Sequence, residues 1–128
     1  MDTQLKCGLQ VKLEEIAGIL SKSINRYNTP GVLSGISGLA LFMFYYSRFT
    51  GIAKYAYYGI FALKKAIDMI DAGYSYHTYC IGITGLAWVC EHLVRHKFLE
   101  QSDISFVGIA DYVYILVKCY IDYQLVIS

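Results

Sequence analysis

Two imidazoles, His92 and His96, stand four residues apart, with Cys90 close by. That spacing places both rings on one face of a helix and can bring them to a single metal ion. No third ligand completes the pattern. Glu91 and Arg95, also four apart, read as an ordinary polar helix end, so a structural role outweighs metal binding. Cys80 comes just before a helix start, where a thiol can become acidic, but burial or simple packing is the stronger reading. Asp68 and Asp71, three apart, read as a solvated helix face and not as an acid/base pair. No Ser/His/Asp arrangement and no phosphate-binding glycine loop is identifiable.

The remaining candidates belong to a phrase written twice. Gly35-Ile36-Ser37-Gly38-Leu39-Ala40 returns as Gly82-Ile83-Thr84-Gly85-Leu86-Ala87, and 82 less 35 gives a period of 47 residues. Two glycines three apart at a helix start clear one face, so a neighbouring backbone can approach closely. Ser37 and Thr84 are hydroxyl residues placed to satisfy first-turn amides. The functional reading makes Gly35, Ser37, Gly38, Gly82, Thr84 and Gly85 the inner, cavity-facing starts of two helices, with free amides for an anion or polar substrate. Close helix packing explains the same residues and, for the phrase alone, is favoured.

A repeat of this length predicts stacked helical hairpins, each too small to bury its own apolar face. The elements follow that plan. Leu9, Leu13, Ile16, Leu20 and Ile24 recur at helical steps and predict a leading helix over 4–27, stopped by Asn28-Thr29-Pro30-Gly31. A nearly all-apolar helix follows from Ser34 to Phe49, closed by Thr50-Gly51. An amphipathic helix then runs from Ile52 to Ala72, with Ile60, Leu63, Ile67 and Ile70 as its stripe and Gly73 at C′. A further helix is expected over 82–96 and a fifth from about 103 to 125. Apolar inner helices thus alternate with amphipathic outer ones. The expectation is an all-α chain of about five helices, a single domain over 1–128, with repeat one at 31–73 and repeat two at 79–126.

Composition narrows the partners. The chain has 128 residues, is 56% hydrophobic and carries only 16% charged residues. A good core can form, and apolar surface is left for a partner or for more of the same fold. With a net charge of +1 and no basic block, nucleic acid is excluded as a partner. The charge-free run from Tyr27 to Ser47 is nearly long enough for a bilayer, and Gly31 and Gly35 make a GxxxG spacing. Pro30-Gly31 shortens the helix, and the second copy is soon interrupted by Glu91, His92, Arg95 and His96, which argues against a membrane span. No signal peptide is evident. Cys7, Cys80, Cys90 and Cys119 lack CxxC spacing and read as reduced thiols of a cytoplasmic protein.

The run from Gly31 to Phe42, Gly-Val-Leu-Ser-Gly-Ile-Ser-Gly-Leu-Ala-Leu-Phe, resembles the first inner-helix motif of the lanthionine synthetase C-like proteins, the cyclases of lantibiotic biosynthesis and their relatives. Cys80-Ile81-Gly82-Ile83-Thr84-Gly85-Leu86-Ala87-Trp88 resembles the second copy, tryptophan included, and the stretch after Phe98 keeps the family's order. The resemblance implies an α/α toroid of seven inner and seven outer helices, of which this chain carries a partial ring. It implies a precursor peptide as substrate and, in complete members, a zinc ion held by two cysteines and a histidine. That zinc activates a peptide thiolate for addition to dehydroalanine or dehydrobutyrine. The Trp-Cys-Tyr-Gly-like and Cys-His-Gly-like ligand segments do not occur in this sequence. No catalytic, cofactor or metal residue therefore carries over. The expected partners are a precursor peptide, the remaining part of the toroid, or a second copy of the chain. The alternative reading is a helical interaction module that self-associates through its repeat faces.

Overall fold

The computed structural model describes residues 2–74, 78 and 80–100, and these form four α-helices and one 3-10 turn, with no strand among them. The fifth expected helix lies outside the described residues. Helix α1 spans Thr3–Ser23, where the Asp2 carboxylate caps the first turn by accepting from the Gln4 amide at 3.2 Å. The leading helix expected to reach residue 27 tightens into a 3-10 turn at Ile24–Arg26 and then extends at Tyr27.

Helix α2 spans Ile36–Thr50 and α3 spans Ala53–Asp71. Gly51 sits between them with φ 73°, a left-handed C-cap whose amide donates to the Ser47 carbonyl at 2.8 Å. So short a link folds α3 back against α2 as a hairpin. The α3 contact face is built differently from the expected stripe. Tyr55, Gly59, Ala62, Leu63 and Ala66 are its buried residues, while Ile60, Ile67 and Ile70 are half-buried at the margins. Small residues carry the contact because they let the helix axes approach. A Cβ on Gly59 would stand 2.7 Å from the Phe44 ring.

Helix α4 spans Ile83–Arg95. Helices α3 and α4 end in the same motif. After α3, Gly73 donates to the Ile70 carbonyl and Tyr74 to that of Met69. After α4, Lys97 donates to Val94 and Phe98 to Leu93. Both are Schellman caps, with Gly73 (φ 105°) and Lys97 (φ 62°) at the left-handed position.

One core joins all four helices. Ala17 and Ile24 from the leading segment meet Ile36, Leu39, Ala40, Met43 and Phe44 of α2. Ala62, Leu63 and Ala66 of α3 and Leu86, Val89, Cys90 and Leu93 of α4 complete it. The core face of α1 is Leu13, Ala17 and Leu20, continued by Ile24 of the 3-10 turn. Leu9 and Ile16, expected in that stripe, are exposed instead. No helix among the described residues is long and apolar enough to cross a membrane.

Candidate functional site

The two copies of the glycine phrase lie side by side. The carbonyl of Cys80 accepts from the amides of Leu33 at 3.1 Å and Ser34 at 3.2 Å. A Cβ on Gly31 would overlap the Cys80 carbonyl and the Ile81 backbone. The loop before α2 also winds over its own helix start. Ile36 donates to the Thr29 carbonyl at 2.9 Å, and a Cβ on Gly38 would overlap the carbonyl oxygen of Val32. Gly35 sits where a Cβ would overlap Gly31 and stand 2.7 Å from the Thr29 oxygen.

Of the candidate residues, Gly35, Ser37, Gly82 and Gly85 are buried, and Gly38 and Thr84 are half-buried. Gly35 and Gly82 are the N-caps, and neither helix start has a side-chain cap. Ser37 corrects the hydroxyl expectation. Its Oγ does not accept from a first-turn amide; it donates to the Pro30 carbonyl and is fully buried. The hydroxyl ties the turn onto the helix it precedes.

At the other end of the same helices is a second cluster. Tyr45 Oη and His92 Nε2 are 2.6 Å apart. Arg48 donates to the His96 carbonyl at 2.9 Å and lays its guanidinium 3.4 Å from the centre of the Phe98 ring. Trp88 stacks on His92 at 4.9 Å, and the His92 and His96 rings are 4.2 Å apart. A shallow depression of about 100 Å³ opens there, lined by Trp88, Glu91, His92 and Arg95. Glu91 and Arg95 form an ion pair across one helical turn. Partial burial, then the neighbouring His96 and Arg95, hold the His92 pKa below its ordinary 6.5. The imidazole is therefore neutral near pH 7 and shares a hydrogen bond with the Tyr45 hydroxyl.

The contacts at both ends share one arithmetic. Leu33 to Cys80 and Tyr45 to His92 are each 47 residues apart, and Arg48 to His96 is 48. Helices α2 and α4 therefore run parallel and in register. The sequence period is the translation that carries one helix onto the next. The sequence pointed to the glycine starts and the histidine pair; it missed Tyr45 and Arg48, whose partners lie one period away.

The described residues do not supply a zinc site of the two-cysteine, one-histidine kind. Burial pushes the Cys90 thiol up to about 12, and its side chain belongs to the apolar core with Leu86, Val89 and Leu93. Cys7 and Cys80 are exposed on other parts of the fold, and no group of three or more His, Cys, Asp or Glu among the described residues is arranged to hold a metal.

The family model for lanthionine synthetase C-like proteins matches residues 27–119. This chain belongs to the lanthionine synthetase C-like family. The match begins just after the leading helix and takes in both glycine phrases, so the two hairpin starts are repeats of the family's α/α toroid. Comparison with curated proteins and with solved structures returns no match.

Proposed function

We propose that this lanthionine synthetase C-like chain supplies scaffold and part of the peptide cavity of a cytoplasmic cyclase that closes thioether rings in precursor peptides. The observation that carries this reading is the in-register stacking of α2 on α4, which aligns two inner-helix starts at one end and an aromatic and histidine cluster at the other. Parallel inner helices make a wall, and a wall with Trp88 exposed beside Arg95, Glu91 and a neutral His92 offers a peptide stacking, charged and hydrogen-bonding contacts. The inner starts at Gly35, Ser37, Gly38, Gly82, Thr84 and Gly85 would set the opposite rim. Addition of a peptide thiolate to dehydroalanine or dehydrobutyrine, with zinc as activator, is assigned to other repeats of the toroid. The residues described here would hold and orient the peptide. Reduced cysteines agree with a cytoplasmic setting.

The chain has one tryptophan, and it lies in the depression, so its fluorescence reports occupancy directly. Titration with a dehydrated precursor peptide is expected to shift Trp88 emission, with no thioether formed by the chain alone when zinc is added. Ring closure by the chain alone, seen as loss of alkylatable thiol in the peptide, would overturn the scaffold reading. An unchanged Trp88 signal at millimolar peptide would remove this end of the wall from the cavity.

A further inference from the structure

The period of 47 maps one site onto another. Subtracting 47 from Trp88, Glu91, His92 and Arg95, which line the depression, gives Leu41, Phe44, Tyr45 and Arg48 of α2. Helices α2 and α4 begin at equivalent positions, Ile36 and Ile83, behind equivalent glycine N-caps. Their helical phase therefore matches, and the two sets stand at the same place on their helices. The set on α2 holds an aromatic ring. Tyr45 meets Phe98 edge to face with ring centres 4.6 Å apart, and Phe44 does so at 6.2 Å. The Arg48 guanidinium covers the same ring at 3.4 Å from its centre. The set on α4 keeps two parts of that clamp: Arg95 repeats Arg48, and the His92 ring repeats the Tyr45 ring.

We infer, resting on the peptide-cavity reading above, that the depression is a subsite for an aromatic ring and that the precursor peptide supplies the ring. Its volume of about 100 Å³ is on the scale of one phenyl group, since an apolar cavity of about 150 Å³ takes benzene. Arg95 offers a cation to the ring face, and Trp88, 42% exposed, offers a flat apolar surface. The His92 ring is already oriented by its hydrogen bond to Tyr45. The two copies differ at Glu91, which stands where the buried Phe44 stands in repeat one. A carboxylate attracts the positive edge of an aromatic ring, an edge that an aliphatic side chain lacks. The same residue separates a peptide ring from the end of a further inner helix. Arg48 reaches across to the helix-end carbonyl of His96, whereas Arg95 donates to Glu91 within its own helix. The second copy thus keeps the grip on a ring and turns its guanidinium away from a neighbouring helix end.

Trp88 emission of the full chain tests this, with N-acetyl-phenylalaninamide and N-acetyl-cyclohexylalaninamide as probes. The two share a six-membered ring and differ in its π-face. The phenyl probe is expected to shift Trp88 emission and saturate in the millimolar range, and the cyclohexyl probe to bind about threefold more weakly or worse. Arg95→Ala is expected to bring the two probes level, and Tyr57→Ala, an exposed aromatic position on α3, to change neither. Both positions are exposed, so helical circular dichroism is expected to be retained. Competition then identifies the source of the ring. A dehydrated precursor peptide containing phenylalanine is expected to displace the phenyl probe, and its phenylalanine-to-leucine variant to do so about threefold less well or worse. A peptide of residues 83–99 with Trp88→Leu, which presents Phe98 behind a helix end, is expected to compete no better than the phenyl probe itself. Equal affinity for the two probes overturns the ring subsite, as does a phenyl preference unmoved by Arg95→Ala, and either result leaves the scaffold reading standing. A phenyl preference with displacement by the helix-end peptide and none by the precursor peptide overturns the precursor as the source of the ring.

Discussion

Arg48 joins two repeats with one side chain. Its guanidinium closes the carbonyl end of α4 at His96 and covers the Phe98 ring. Both contacts are partly solvated, so Arg48→Ala is expected to cost about 1–2 kcal/mol, read as a lower urea midpoint with unchanged slope. Lysine offers a point charge without the planar face, so Arg48→Lys is expected to recover less than half of the loss. Beside it, His92 sets a pH dependence. Its folded pKa is below the ordinary 6.5, so the stability it contributes is present above that pH and lost as pH falls through the folded value. Urea midpoints between pH 7.5 and 5 are expected to fall more steeply for the wild type than for His92→Gln. Equal slopes would take His92 out of the junction's proton balance.

Among the elements, glycines separate packing from propensity. Gly18 in α1 has open space where a Cβ would go, and Gly59 in α3 faces the buried Phe44 ring at 2.7 Å. Gly18→Ala is expected to stabilise by somewhat under about 1 kcal/mol, the helix-propensity gain. Gly59→Ala gains the same propensity but forces a ring that the core holds in place, so a net loss of about 1–2 kcal/mol is expected from thermal unfolding. Lys97→Gly, which relieves a side chain at φ 62°, is expected to raise stability by about 1 kcal/mol. These positions also show what the sequence discloses. Gly51 and Gly73 announce the ends of α2 and α3 because glycine is the ordinary residue for a left-handed cap. Lys97 closes α4 in the same conformation with no compositional mark. The stripe read along α1 mixed two faces, since Leu9 and Ile16 stand within one helical step of Leu13 and Leu20. Ser37 was legible as a hydroxyl at a helix start, but the direction of its hydrogen bond depends on the Pro30 turn folding over it. Tyr45 and Arg48 could have been found only by pairing each position with the one a period later.

Across the whole molecule, burial is uneven. The described residues from Asp2 to Lys12 are all exposed, and Ala17 is the first fully buried position. Amides in the first three turns of α1 are expected to exchange fastest among the helices at high dilution, well before those of α2 and α4. Helices α2 and α4 also run the same way, held in register at both ends. Each helix carries a dipole of about half a charge at its termini, and two parallel ones add where an antiparallel pair would cancel. One end of the stack gathers the positive dipole ends, and there the Ile36 amide donates to the Thr29 carbonyl. The other end, where the carbonyls gather, is where Arg48, His92, Arg95 and His96 are found. Helix α3 folds back against α2 with its dipole reversed, so this polarity is local to the stacked ends of α2 and α4 and is not summed over the hairpins.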